Sequence, residues 1–358
     1  MAVHFHKLKI KQIRKETPDC VSINFDVPTE LSEYLSFREG QNITIRQVVN
    51  GEEIRRSYSI CAAPYEKELK VAVKAMDGGR FSNFANAELK AGDELEVMPP
   101  TGNFYARLGE GAKHNLAIAA GSGITPVISI IKHTLATVAD STFTLIYGNR
   151  NRNSIIFFEE LEGIKNKYLH RFNFINILSR EVTDVPLHHG RIDAGKLSAL
   201  AGLVDYKKMD NIYICGPEAL IFGSSEFFQG LGIPKSKIHF ELFTVPGETV
   251  KEKSSVKIDT KTVGKMSNIS IKLDGRTFDF NLSQGGESIL DAALQQGADL
   301  PYACKGGVCC SCRAKVIEGK VDMDVNYALE EDEVEAGFVL TCQSHPRTDK
   351  VVIDFDAR

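Results

Sequence analysis

Four cysteines, Cys304, Cys309, Cys312 and Cys342, stand in a C-x4-C-x2-C order with a distant fourth thiol. Thiolates are soft metal ligands, and this order is that of a plant-type [2Fe–2S] cluster. The loop Cys304-Lys305-Gly306-Gly307-Val308-Cys309-Cys310-Ser311-Cys312 must turn sharply to wrap a cluster, which Gly306 and Gly307 permit. Its backbone N–H groups can point at the sulfurs and tune the potential. Structural zinc is the rival reading. Zinc ribbons and fingers present paired C-x2-4-C motifs or histidines, and no second C-x2-C pair lies near Cys342. Cys310 fits no ligand position and reads as a small filler, while Cys20, Cys61 and Cys215 are scattered.

A second set of residues suits phosphates and aromatic rings. In Arg56-Ser57-Tyr58-Ser59 a guanidinium can pair with a diphosphate, a ring can stack on a flavin, and a hydroxyl can bond the flavin N5 edge. Alone, the tetrapeptide also suits an ordinary strand. It gains weight from Gly78-Gly79-Arg80-Phe81-Ser82-Asn83, where glycines let the backbone approach phosphate at a helix start, although a plain turn and N-cap read the same way. Ala120-Gly121-Ser122-Gly123-Ile124-Thr125-Pro126 follows an apolar run and opens an apolar helix, with Pro126 suited to a first helical position. Glycine is missing at position 126, so the ordinary Rossmann dehydrogenase fingerprint is incomplete. Cys215-Gly216-Pro217-Glu218 ends another strand at the edge where open α/β sheets bind ligands. The Cys215 thiol there either touches a nicotinamide or is simply a buried apolar side chain. Ser179-Arg180 can hold the 2′-phosphate of NADPH. His188-His189 lacks spaced metal partners and reads as a solvated loop. There is no hydrolase triad and no nucleic-acid patch.

The elements that must position these residues fall into three textures. Residues 1–108 read as short strands, among them Val21–Phe25, Asn42–Ile45, Leu69–Val73 and Glu94–Val97, which predicts an antiparallel β-barrel. Residues 109–243 alternate apolar runs, at Asn115–Ala120, Phe143–Tyr147, Phe172–Leu178 and Asn211–Cys215, with helical stretches, which predicts an α/β domain with a parallel sheet. Residues 244–267 read as a linker rich in lysine, serine and threonine that lets the last domain swing. Residues 268–358 predict an α+β ferredoxin-like β-grasp domain: a hairpin around Asp274-Gly275, a helix over Ser288–Gln296 capped by Gly297, then the cysteine loop. That last segment holds 9 Lys/Arg against 16 Asp/Glu, a net of -7, within a chain of net charge -4. An acidic domain on a slightly basic body suits electrostatic docking, although acidic runs such as Glu330–Glu333 also serve as solvated faces. The N-terminus has no apolar signal region and no run approaches a membrane span, so the expectation is a cytoplasmic chain with reduced thiols, no disulfides and no membrane insertion.

In this order the motifs resemble the ferredoxin–NADP reductase superfamily over residues 1–243, fused to a plant-type ferredoxin domain. The resemblance implies that Arg56 contacts the FAD diphosphate, Tyr58 stacks on the isoalloxazine and Ser59 lies by N5. Ser57 belongs to the same motif. Gly79, Phe81, Ser82 and Asn83 match the second FAD phosphate segment. Gly121, Gly123, Thr125 and Pro126 match the segment that holds the NADP pyrophosphate, Ser179 and Arg180 the 2′-phosphate site, and Cys215 with Gly216 and Pro217 the nicotinamide side. Domain order, cluster loop and the stretch Tyr147-Gly148-Asn149-Arg150 look like the subgroup of reductases that serve bacterial phenylacetyl-CoA epoxidases, multicomponent di-iron oxygenases. Plant members end on a tyrosine over the flavin, whereas here Phe240-Glu241-Leu242-Phe243 runs on into the linker.

The implied function is a relay. NADPH gives up a hydride pair and a [2Fe–2S] cluster takes one electron at a time, so FAD stands between them. Ser59 and Cys215 are the expected catalytic positions, and the partner is an oxygenase component. A reductase for another hydroxylase, desaturase or soluble acceptor fits the same motifs. A non-enzymatic redox sensor would need neither nucleotide signature.

Overall fold

The computed structural model of the chain describes residues 4–105, 113–244 and 265–357. Strands β1 (His6–Thr17), β2 (Cys20–Asp26), β3 (Asn42–Val49), β4 (Glu52–Ser59), β5 (Leu69–Lys74) and β6 (Glu94–Val97) form one antiparallel sheet in the order β4-β3-β6-β1-β2-β5. An Ile60–Val71 bridge joins the extension of β4 to β5, so the sheet curls into a barrel. Alternation along the strands sends Leu8, Ile10, Ile23, Ile43, Ile45, Val71 and Leu95 inward. Helix α1 (Arg80–Ala87) adds Phe81 and Ala85 to that core.

Five parallel strands follow: β7 (His114–Ala120), β8 (Thr142–Asn149), β9 (Phe172–Leu178), β10 (Asn211–Cys215) and β11 (Ile238–Glu241), in the order β11-β10-β7-β8-β9. Their near-continuous apolar runs are those of a sheet buried on both faces. Helices α2 (Ile124–Thr137) and α3 (Phe158–Lys167) pack with one apolar core, and α4 (Ala194–Leu200) and α5 (Glu218–Gly230) with the other. Strand order reverses between β7 and β10, which opens a crevice at their carboxyl ends. Cys20, Cys61, Ala72 and Phe104 of the barrel join the core under α2 and α3, so barrel and α/β domain share one apolar interior. A 3-10 turn at Gly121–Gly123 precedes α2, which places Pro126 third in the helix rather than first; its missing N–H is harmless anywhere in the first turn.

The third unit holds β12 (Met266–Leu273), β13 (Arg276–Ser283), β14 (Arg313–Glu318), β15 (Val321–Met323), β16 (Phe338–Leu340), β17 (Ser344–Pro346) and β18 (Lys350–Asp354). Five of these form a sheet in the order β13-β12-β18-β14-β16, with β12 and β18 parallel, while β15 pairs with β17. The hairpin turn has φ of 56° at Asp274 and 67° at Gly275, the double left-handed geometry of a two-residue loop. Helix α6 (Ile289–Gln295) starts where the Ser288 hydroxyl accepts from the Asp291 N–H and ends before Gly297, at φ 88°. Helix α7 (Glu331–Glu335) carries Glu331, Asp332 and Glu333 in its first turn, where the helix dipole favours acids.

Apart from Thr244 and residues 265–267, the expected linker lies outside the described residues, as does the expected boundary at 108/109. Strand β12 already includes Met266 and Ser267, because the Ser267 hydroxyl donates to the Thr348 carbonyl (2.6 Å) and ties that end into the sheet. No described helix is long and apolar enough to cross a membrane.

Candidate functional site

Register on the barrel decides what the Arg56–Ser59 segment presents. Tyr58 pairs with Ile43 and Arg56 with Ile45, whereas Ser57 pairs with Thr44 and Arg55 with Arg46. Directly paired residues share a face, so Arg56 and Tyr58 stand on the side of the core isoleucines and Ser57 and Arg55 on the outside. The Tyr58 ring lies 5.5 Å from that of Phe81, a core residue that supports it from behind. Arg56 is exposed, with Nη1 donating to the Arg55 carbonyl at 2.7 Å. Gly78 has φ 69°, and α1 begins after Gly79 without a side-chain cap, so the first N–H groups of the helix remain available to a phosphate. The Ser82 hydroxyl accepts from Met76 N (3.3 Å) and donates to the Gly79 carbonyl (3.5 Å), which fixes the turn, while Asn83 is exposed. The ring, the guanidinium and the uncapped helix start fit FAD. Phe81 and Ser82 shape the turn.

The α/β side is built on close backbone approach. Gly121 has φ 53° and its carbonyl accepts from Tyr147 Oη at 2.8 Å. A Cβ on Gly123 would fall 2.1 Å from the Cys215 carbonyl oxygen, so only glycine lets the end of β10 pack on the turn after β7. The Thr125 hydroxyl donates to Ser122 O (3.0 Å), and both Thr125 and Pro126 are buried; they hold the loop, and α2 too lacks a side-chain cap. Gly216 packs on Leu220, and Pro217 is the N-cap of α5. These features fit a dinucleotide pyrophosphate bound through backbone N–H groups. Ser179 N and Oγ both donate to the Asn149 carbonyl, and Arg180 N donates to Arg150 O at 2.8 Å. Two exposed arginines, Arg150 and Arg180, therefore stand side by side at the carboxyl edge. Sequence reasoning assigned Arg150 no site role, because its proximity to Arg180 arises only when β8 pairs with β9.

Between these halves lies a carboxylate that sequence reasoning also passed over. Glu241 pairs with Cys215 across β10 and β11, and Ser59 Oγ donates to its Oε2 at 3.1 Å. The residue is half-buried, but its carboxyl end is enclosed by Ser59, Asn42 and the Cys309 region. Burial pushes that carboxyl up to about 8, against the hydrogen bonds from Ser59 and Asn42, so it holds a proton at neutral pH. Cys215 is fully buried; burial first, then Glu241, push its thiol well up, and it stays protonated. The only trace of Glu241 in the sequence is a lone acid in the apolar run Phe240-Glu241-Leu242-Phe243.

Cys309, Cys312 and Cys342 are buried and Cys304 half-buried, all as free thiols. Their side chains bond in the sequence Cys309, Cys304, Cys342, Cys312. Among the described residues no three His, Cys, Asp or Glu side chains converge as on a single ion. A row of four thiols fits a two-iron cluster, which Cys304, Cys309, Cys312 and Cys342 would hold through their sulfurs. Gly306 N donates to Cys304 Sγ (3.3 Å), and Gln343 Nε2 reaches Cys342 Sγ (3.5 Å) and the Lys305 carbonyl (3.1 Å). The left-handed positions of the loop are Lys305 and Gly307 rather than Gly306, whose N–H is committed to sulfur. Cys310 donates to Ala328 O at 3.4 Å inside the domain core, as a filler does.

All three units meet here. Ser311, within the cluster loop, has its hydroxyl 2.8 Å from Thr44 Oγ1 and 3.4 Å from Ser57 Oγ. Val308, from the same loop, is buried with Leu242 and the α5 core, and Cys304 packs beside it.

Comparison with known proteins agrees with this partition. Three family profiles match: an oxidoreductase FAD-binding domain at residues 7–105, an oxidoreductase NAD-binding domain at 117–226 and a 2Fe-2S iron-sulfur cluster binding domain at 271–347. The chain is 48% identical to a subunit of the 1,2-phenylacetyl-CoA epoxidase of Escherichia coli (strain K12), over 99% of this chain and 98% of that one. It is 32% identical to the ferredoxin reductase component of 3-ketosteroid-9-alpha-monooxygenase of Rhodococcus rhodochrous, over 97% and 96%. In fold it is similar to phthalate dioxygenase reductase, with a TM-score of 0.60, 24% identity and 98% of each chain covered. With FAD-, NAD- and [2Fe–2S]-binding domains in one chain and identity along nearly its whole length, the chain is an oxidoreductase that belongs to the ferredoxin–NADP reductase family, in the branch with a fused C-terminal ferredoxin domain.

Proposed function

We propose that this chain is the reductase component of a di-iron oxygenase that acts on phenylacetyl-CoA, and that it draws its electrons from NADPH. The reading is carried by the meeting of Ser59, the Cys215–Glu241 pair and the Ser311 turn of the cluster loop at one place. Identity of 48% along the chain supports the choice of acceptor over that of the steroid reductase, at 32%. When bound, FAD accepts two electrons together from the nicotinamide and passes them singly to the cluster.

The side chains bind, orient and exclude water. Arg56 and the start of α1 hold the FAD diphosphate, and Tyr58, backed by Phe81, supports the ring system. The turn from Gly121 to Gly123 and the start of α2 hold the NADPH pyrophosphate, with Arg150 and Arg180 on its 2′-phosphate. Cys215, kept as a thiol, is fully buried in the core shared with α2, so it backs the nicotinamide side as packing rather than meeting the ring directly. Glu241 keeps its proton, so no fixed negative charge stands where electrons must pass, and the Ser59 hydroxyl holds that carboxyl in place. We place the protein in the cytoplasm, where cluster thiols stay reduced.

The test is reconstitution. The purified holoprotein is mixed with the catalytic component of a phenylacetyl-CoA epoxidase, and NADPH oxidation is followed together with epoxide formation. Epoxide should form in step with NADPH and much more slowly with NADH. Equal coupling to a ketosteroid or glycine betaine oxygenase would overturn the acceptor, and an NADH preference would overturn the role of Arg150 and Arg180.

A further inference from the structure

The outer face of the β3–β4 hairpin carries two cross-strand pairs, Thr44 with Ser57 and Arg46 with Arg55, and both reach the ferredoxin domain. The first pair takes Ser311, between the second and third cluster cysteines. The second meets the segment just before Cys304: Arg55 Nη1 donates to the Leu300 carbonyl and Nη2 to Asp299 Oδ1, each at 3.1 Å. The Arg55 guanidinium also lies 4.4 Å from the centre of the Tyr302 ring. Its Nε is satisfied within the barrel by Glu53 at 2.8 Å. Arg46 is held in its own domain by both oxygens of Glu96, at 2.8 and 3.2 Å, and lies 4.0 Å from Asp299. Of the two arginines, Arg55 is thus the one that hydrogen-bonds across to the ferredoxin domain, and only 7% of its surface is exposed. A planar guanidinium holds its donors in a fixed fork, so it can serve a carbonyl, a carboxylate and a ring at once in one geometry, whereas an ammonium's donors turn freely on a flexible stem.

We propose that Arg55 is a positioning residue for electron transfer between the two bound cofactors: it pins the approach to Cys304 while Thr44 and Ser57 pin Ser311, and so seats the cluster loop against the barrel strand that carries Tyr58 and Ser59. It touches neither cofactor. In each transfer the flavin is oxidised by one electron and the cluster reduced by one, two such steps using the pair that NADPH supplies. The proposal rests on the relay from NADPH through FAD to the cluster. It adds that the polar platform, rather than the covalent connection, sets the rate of the internal step.

The experiment compares holoprotein of wild type, R55M, R55K and D299A under anaerobic stopped flow, reading flavin and cluster absorbance separately after mixing with NADPH. R55M keeps the apolar stem and loses the fork; flavin bleaching should stay at the wild-type rate while cluster bleaching slows about tenfold, the scale of one lost charge-assisted hydrogen bond. R55K should recover part of the loss. D299A, which removes an exposed carboxylate, should fold normally and slow the same step by about twofold, as a mostly solvated ion pair does. Small-angle X-ray scattering supplies a readout apart from turnover: R55M should have a larger radius of gyration than wild type, with R55K between. Unchanged cluster bleaching in R55M, equal slowing of both steps, or unchanged scattering overturns the proposal. Failure of NADPH to bleach the wild-type cluster at all would instead overturn the relay reading itself, and the proposal with it.

Discussion

Glu241 shows how a single side chain acquires a property that its type lacks. An exposed glutamate is ionised at neutral pH, but here burial outweighs two hydrogen bonds and the proton is retained up to about 8. Between the ordinary value of 4.5 and about 8 the folded chain therefore binds one proton more than the unfolded chain at this residue. Stability falls with rising pH wherever the native state holds the extra proton, so this contribution is complete below about 4.5 and lost as the pH passes through about 8. The expected result is that the midpoint of urea unfolding falls across that window in wild type and is flatter in E241Q, whose amide cannot titrate. Equal slopes in the two proteins would show that the carboxyl is solvated and already ionised. Glu241 eluded sequence reasoning because its role depends on parallel pairing of β10 with β11 and on Ser59, which is distant in the chain. The cysteine loop was readable as a cluster site because three of the four candidate ligands lie in one short loop, whose spacing is that of a plant-type cluster.

At the scale of elements, the tightest constraint is the turn between β7 and α2. The glycine run there was readable as a phosphate loop. The reason for Gly123 was not, since it lies in the Cys215 carbonyl that the missing Cβ would meet at 2.1 Å. G123A should push β10 away from α2, costing about 1–3 kcal/mol as overpacking does, and should raise the KM for NADPH because Cys215 and the pyrophosphate loop shift together. Unchanged KM and unchanged thermal midpoint would mean that the two strand ends are not in register as described. G121A tests the neighbouring position by a different cause, its φ of 53°, with no backbone clash. The apolar runs of β7 to β10 were legible for a similar reason to the cysteines: strands buried on both faces leave a continuous signal. The short edge strand β11 was not, because its four residues are mostly half-buried and carry no alternation. Nor was the 3-10 turn that displaces Pro126 from the helix start, since proline is tolerated throughout a first turn.

In the whole molecule the two interfaces of the barrel differ in kind. Against the α/β domain it contributes Cys20, Cys61, Ala72 and Phe104 to a common apolar core, whereas against the ferredoxin domain it offers Arg55, Thr44, Ser57 and Asn103. Apolar interfaces of the first kind hold domains together as a shared core, whereas those of the second kind hold through a few individual hydrogen bonds and leave the two domains separate cores. The apolar interface also buries a cation. Lys132 on α2 bonds Glu66 of the barrel at 2.7 Å and Glu160 of α3 at 2.8 Å. Burial works against its charge, but Glu160 and Glu66 outweigh it and keep the ammonium protonated. Replacing it in K132M leaves two carboxylates facing each other, partly open to water, so the cost should be about 1–3 kcal/mol rather than the full penalty of a sealed pair. Barrel and α/β domain should unfold together and the ferredoxin domain separately, giving two calorimetric transitions in wild type. K132M should lower the transition of the barrel and α/β pair by roughly 2–12 °C and leave the ferredoxin transition in place. A shift of both transitions together would mean that all three units share one cooperative core, and the cluster domain would then have no independent motion with which to reach an acceptor.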